Sequence, residues 1–150
     1  MGNSYLSAYI HYTFSTKNRL PLIETEIQQR LWSYMGGSAK KHNLKAIAVG
    51  GVSDHVHILL SLPGSITIAK AVQLVKGSSS KWLKDTFDHM KDFSWQKGYG
   101  AFSVNVSLVQ KTIDYINRQE FHHQQMSFQE EFINFLKKNK VDYDEQHLWD

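Results

Sequence analysis

Residues 44–62, LKAIAVGGVSDHVHILLSL, hold two β-type runs, Leu44 to Val52 and His55 to Leu62, around a short turn at Ser53 and Asp54. Branched apolar runs bounded by turn residues predict an antiparallel hairpin, which Pro63-Gly64 closes. Upstream, Tyr5 to Phe14 alternates, with Leu6, Ala8, Ile10, Tyr12 and Phe14 on one side and Ser7, His11 and Thr13 on the other, the pattern of a half-buried strand. A basic loop with Lys17 and Arg19 follows. Ile23, Ile27, Leu31 and Met35 then take helical spacing towards Lys41, weakened by Gly36-Gly37. Downstream, Ile68, Val72, Val75, Trp82 and Leu83 trace a second long helix, with an irregular middle expected at Lys76-Gly77-Ser78-Ser79-Ser80, which is poor in helix formers. Trp95 to Val104 reads as a last strand bent at Gly98 and Gly100. A third helix is expected from an N-cap near Ser107 past Gln119, and Phe128, Phe132, Phe135 and Leu136 mark a fourth. The order β-α-β-β-α-β-α-α predicts an α+β fold: a ferredoxin-like antiparallel sheet with helices on one face plus C-terminal helices.

The 150 residues suit one domain, 1–150, with 140–150 a polar, acidic tail. There is no Cys, so thiolate metal sites, iron–sulfur clusters and cysteine nucleophiles are excluded and any metal must take His, oxygen or amide ligands. No apolar run approaches the ~18 residues of a membrane span and the N-terminus lacks signal-peptide character, so a cytoplasmic location is expected. The net charge of +3 is uneven. Residues 1–100 carry twelve Lys/Arg against six Asp/Glu, and the rest carry five against eight. A basic body suits a polyanion, because neutralised phosphates release counterions; ordinary solubilising lysines are the plainer alternative.

His55-Val56-His57 lies in a strand of the hairpin, where the two-residue period puts both imidazoles on one face, their Cα atoms about 6.5–7 Å apart. Two ring nitrogens can converge on one cation from there, or the pair can simply be the wetter face of a strand. On the third helix, Tyr115 sits about 120° from the centre of the Val109, Ile113 and Ile116 stripe, so it is not core, and Gln119 stands one turn on, on the same flank. His122 and His123, adjacent and about 100° apart on a helix, read as packing or capping residues. His11 shares a face with Ser7 and Thr13 and stays open as a DNA contact.

These residues together resemble a known family. His11-Tyr12-Thr13-Phe14-Ser15-Thr16-Lys17-Asn18-Arg19, Asp54-His55-Val56-His57-Ile58-Leu59 and Tyr115-Ile116-Asn117-Arg118-Gln119-Glu120-Phe121-His122-His123 are similar, in that order, to the first strand and basic loop, the histidine–hydrophobic–histidine strand and the tyrosine helix of the HUH single-tyrosine transposases of the insertion sequence two hundred / six hundred and five type. The resemblance implies a transposase that cuts and rejoins single-stranded DNA through a covalent phosphotyrosine. Tyr115 would be the nucleophile, and His55, His57 and Gln119 the ligands of a divalent cation, Mg or Mn. It further implies hairpin-forming DNA ends as partner and a homodimer with shared sites, His55 and His57 of one chain facing Tyr115 and Gln119 of the other.

Physical chemistry agrees with such a site, since phosphodiester attack needs an in-line nucleophile and a cation on a phosphate oxygen. Two His and an amide hold magnesium weakly, so a DNA phosphate is expected to complete the shell. Lys17, Arg19, Lys76, Lys81 and Lys111 are the candidate phosphate contacts. Two alternatives stand beside this reading: a domesticated DNA- or RNA-binding module, and a His-based metal-dependent nuclease. The module would display stacking aromatics on an open sheet face. The nuclease would need a water-activating carboxylate, and Asp54, the nearest, is expected by strand alternation to point away from the imidazoles.

Overall fold

The structure, a computed structural model, describes residues 2–149; Met1 and Asp150, the last residue of the acidic tail, lie outside the described residues. Strands β1 (Tyr9–Ser15), β2 (Lys45–Gly51), β3 (His55–Ser61) and β4 (Gly100–Val104) form one sheet in the order β2-β3-β1-β4, antiparallel at each pairing. Helices α1 (Thr25–Lys41) and α2 (Ile68–Thr86) pack on one face. There Ile10, Tyr12 and Phe14 of β1 and Val56, Ile58 and Leu60 of β3 meet Ile27, Leu31 and Met35 of α1 and Val72, Val75 and Leu83 of α2. This is the expected α+β architecture.

The opposite face is covered too. Helices α3 (Val109–Asn117), α4 (Gln119–His122) and α5 (Phe128–Lys138) lie over it, and Phe128, Phe132 and Leu136 of α5 form a second apolar cluster with Phe102 of β4. The 140–149 tail is less polar in its packing than in its composition, because Tyr143, Leu148 and Trp149 sit against that cluster. The central strands are therefore buried on both faces, and His11, Thr13, Ser15, His55 and His57 are all buried.

Several boundaries differ from the sequence reading. β1 begins at Tyr9 rather than Tyr5, because Tyr9 is the first residue paired on both sides, with Ser61 on one and Val104 on the other; Tyr5 is 90% exposed. α2 runs unbroken through Lys76-Gly77-Ser78-Ser79-Ser80. Ser78 and Ser79 hydroxyls donate back to the carbonyls of Val75 and Lys76, and Ser38 of α1 meets Ser78 at 2.6 Å, so the small residues serve a close helix contact instead of a break. β4 starts only at Gly100; Trp95 contributes an isolated bridge to Thr16 and donates its indole N–H to Ser79. Asn105, rather than Ser107, caps the next segment, accepting from Ser107 N, and a short 3-10 turn (Val106–Leu108) precedes α3. α3 ends at Arg118, whose φ of −112° and ψ of 25° leave the helix, so Gln119 opens α4 instead of continuing α3. Ser127 caps α5 in a reciprocal capping box with Glu130.

Candidate active site

Strand alternation sends Val56 and Ile58 into the α1/α2 core and His55 and His57 to the other face, where the C-terminal helices bury both completely. Buried ring nitrogens need partners. His57 Nδ1 lies 2.8 Å from His11 Nε2, and His57 Nε2 lies 2.9 Å from Glu131 Oε1. His55 Nδ1 lies 2.7 Å from Asp54 Oδ1, and its Nε2 lies 3.1 Å from Gln119 Oε1 and 3.4 Å from Glu131 Oε1. Asp54 therefore does face an imidazole: it stands in the turn before β3, where strand alternation does not apply.

Tyr115 arrives from α3. Its hydroxyl donates to Glu131 Oε2, its ring stands 5.8 Å from that of His57, and His122 stacks on it at 4.4 Å. The approach depends on Gly50 of β2, the register partner of His57: a Cβ there would lie 2.6 Å from the Ile116 carbonyl oxygen. A bare glycine lets α3 settle onto the sheet with its preceding residue, Tyr115, over the histidines. Tyr115, Gln119, His55 and His57 thus meet within one chain, the arrangement expected between two.

Two members of the site escaped the sequence reading. Glu131 sits inside the apolar stripe of α5, three residues after Phe128 and four before Phe135, and is buried. A charge at that register is the signal that could have found it. His123, expected to pack or cap, has its Nε2 3.2 Å from Glu131 Oε1, and that nitrogen is buried without a hydrogen-bond partner. Ligand atoms of His55, His57, His123 and Glu131 all lie within 4.8 Å of one another. Imidazole and carboxylate donors, one of them orphaned, fit a divalent cation.

The charge states follow from burial and contact. Burial, reinforced by His57, pushes His11 down to about 3, so it is neutral. Burial also lowers His57. For His55 burial opposes protonation, yet the hydrogen bonds to Asp54 and Glu131 outweigh it and raise the imidazole to about 9. Burial alone would raise Glu131, but His57, His123 and His55 hold it well below the carboxylate range. Burial, then the Glu131 charge, lifts the Tyr115 hydroxyl above its ordinary value.

With this geometry in place, comparison with known proteins decides the family. The family described as "Transposase IS200 like" matches residues 4–119. The chain belongs to the IS200-like transposases. It is 26% identical over 115 residues to the transposase for insertion sequence element IS200 of Salmonella typhimurium, covering 73% of this chain and 74% of that one, and the same holds for the Salmonella typhi protein. Among solved structures, one from Deinococcus radiodurans R1 named as a transposase superposes with a TM-score of 0.65 at 24% identity, covering 79% of this chain and 96% of that one. A REP-associated tyrosine transposase bound to a REP hairpin gives 0.61 at 17% identity, covering 84% and 74%. These two support the fold.

The basic residues of this IS200-like transposase scatter. Lys111, with Lys138, lines a small pocket that also contains Tyr115, His11 and Phe135. Lys17 is exposed, and the Arg19 guanidinium lies 5.2 Å over the ring of Trp149. Lys76 is committed elsewhere: its ammonium donates to the carbonyls of Gln96 at 2.6 Å and Gly98 at 2.9 Å, and burial lowers it to about 8. Lys81 pairs with Asp85 on the outside of α2, which packs on the sheet face opposite the histidines. Among the described residues no helix is long and apolar enough to cross a membrane.

Proposed function

We propose that this transposase cuts and rejoins single-stranded DNA, acting in the cytoplasm on hairpin-forming ends of a mobile element, through a covalent phosphotyrosine at Tyr115. The observation that carries the reading is the meeting of the Tyr115 hydroxyl, the His55 and His57 imidazoles and Gln119 at one buried point of a single chain. His55, His57 and Gln119 would hold a divalent cation, Mg or Mn, which when bound offsets the charge of a phosphate oxygen.

The chain's own residues do the rest. Asp54 accepts from His55 Nδ1, which fixes that ring and turns its Nε2 lone pair inward; His11 does the same service for His57. Glu131 orients the Tyr115 hydroxyl by accepting its hydrogen bond, and the phenol proton ends on the leaving strand's sugar oxygen, which departs as a hydroxyl. As the tyrosine oxygen bonds to phosphorus, the bond to the leaving strand's sugar oxygen breaks, and the phosphotyrosine keeps the energy for rejoining. Lys111, aided by Lys138, stands where the strand must pass Tyr115, with Lys17 and Arg19 as further phosphate contacts. Lys76 and Lys81 are the weakest of the set, for their positions above. A hairpin partner draws support from the relative solved with a REP hairpin. Two copies paired as a homodimer would each hold a whole site.

Incubation of the protein with labelled single-stranded hairpin DNA and Mn²⁺ should give a slow-migrating covalent species on a denaturing gel. Tyr115→Phe should remove it. Equal product from fully duplex DNA would contradict the single-strand reading.

A further inference from the structure

The family match ends at residue 119, yet two side chains beyond it, His123 and Glu131, point into the histidine site. Both come from the C-terminal helical segment: one is a carboxylate in the apolar stripe of α5, the other an imidazole edge-on to His55, ring centroids 4.3 Å apart, whose buried Nε2 makes no hydrogen bond. A single oxygen, Glu131 Oε1, faces three ring nitrogens, His57 at 2.9 Å, His123 at 3.2 Å and His55 at 3.4 Å. One carboxylate oxygen has two in-plane lone-pair directions, so it cannot serve three N–H donors well. In the neutral imidazole that a cation requires, the His55 nitrogen is moreover the one left bare when Nδ1 donates to Asp54. Gln119 Oε1, another acceptor, stands 3.1 Å from the same atom.

Lone pairs that converge in a buried space repel unless a proton or a metal cation stands among them. The three spacings to Glu131 Oε1 agree with that: ligands about 2.1 Å from one ion lie about 3.0 Å apart at neighbouring octahedral corners and about 3.4 Å apart at tetrahedral ones. We propose that His123 and Glu131 complete the coordination shell begun by His55, His57 and Gln119, so that the cation is a clasp fastening α5 over Tyr115. The inference rests on the cation site of the proposed function and adds two ligands, one anionic, from outside the family-matched stretch. It supplies the anionic donor that two imidazoles and an amide oxygen lack. A shell with three imidazoles and a carboxylate favours manganese or zinc over magnesium, which prefers oxygen throughout. Glu131 then touches both ion and nucleophile, through Oε1 and Oε2, linking cation binding to the orientation of Tyr115.

The test uses the full chain without DNA and titrates Mn²⁺, reading free ion by electron paramagnetic resonance. Wild type should bind one ion, His57→Ala should lose it, and Glu131→Gln and His123→Ala should each bind at least about tenfold more weakly. Hydrogen exchange of 128–138 should slow when Mn²⁺ is added to wild type, a readout that stands even if a variant fails to fold. Wild-type affinity in both Glu131→Gln and His123→Ala, with His57→Ala still defective, would overturn the clasp and leave the His55/His57 site intact. Unchanged exchange in α5 on saturation with Mn²⁺ would overturn it as well. A wild type that binds no Mn²⁺ would contradict the clasp together with the underlying cation site.

Discussion

At the scale of single residues, the His cluster makes the cation-free protein sensitive to pH in both directions. His55 is raised to about 9 in the folded state, above its ordinary 6.5, so its stabilising contribution is complete below pH 6.5 and disappears as pH climbs through 9. His11 is depressed to about 3, so the fold prefers it neutral, and stability falls as pH drops from 6.5 towards 3. Thermal melts in a chelator should therefore peak near neutrality, and His55→Ala should flatten the alkaline limb; an unchanged limb would mean that His55 is not charged there. The His-x-His pair was legible because a period of two needs only the strand. Asp54 was misread because its residue stands one step outside that strand, and His123 gave no signal because it lies at the end of a short helix whose direction no periodicity specifies.

At the scale of elements, the placement of α3 depends on a residue with no side chain. In Gly50→Ala the new Cβ would press on the Ile116 carbonyl, and overpacking of this kind costs about 1–3 kcal/mol. The variant should stay folded, with a lower urea midpoint, and its cleavage rate should fall at least about tenfold because Tyr115 and Gln119 move off the histidines together. A wild-type rate in a destabilised Gly50→Ala protein would show that the position of α3 is not what aligns the nucleophile. The strands and the two long helices could be read from apolar spacing, since the α1/α2 core is built from it. The break at Arg118 could not, because nothing in Tyr115-Ile116-Asn117-Arg118-Gln119 opposes a continuous helix; past the break, Gln119 Oε1 stands 3.1 Å from His55 Nε2, a tertiary contact that local propensity does not encode. Similarly, Lys76 to Ser80 looked irregular by propensity, and tertiary contacts with α1 and Trp95 override that preference.

At the scale of the whole molecule, the acidic C-terminal third folds over the sheet face that carries the site, while the basic residues next to Tyr115 stand at its rim. Binding to a single-stranded hairpin should weaken with salt, and Lys111→Ala should reduce the salt slope by about one. Lys81→Ala, on the far side of the sheet, should leave the slope as it is; an equal effect from both would return these lysines to a solubilising role. Since one chain holds Tyr115 and its own histidines, mixing His55→Ala with Tyr115→Phe protein should restore no cleavage, whereas recovery would show that α3 is exchanged between chains. The central claim is a covalent bond from Tyr115 to DNA, and the most direct measurement is mass spectrometry of the protease-digested adduct formed on single-stranded hairpin DNA. The account predicts a nucleotide-bearing peptide with the modification on Tyr115; an adduct on Tyr99 or Tyr143, or cleaved DNA without any adduct, as a metal-dependent nuclease would give, would contradict it.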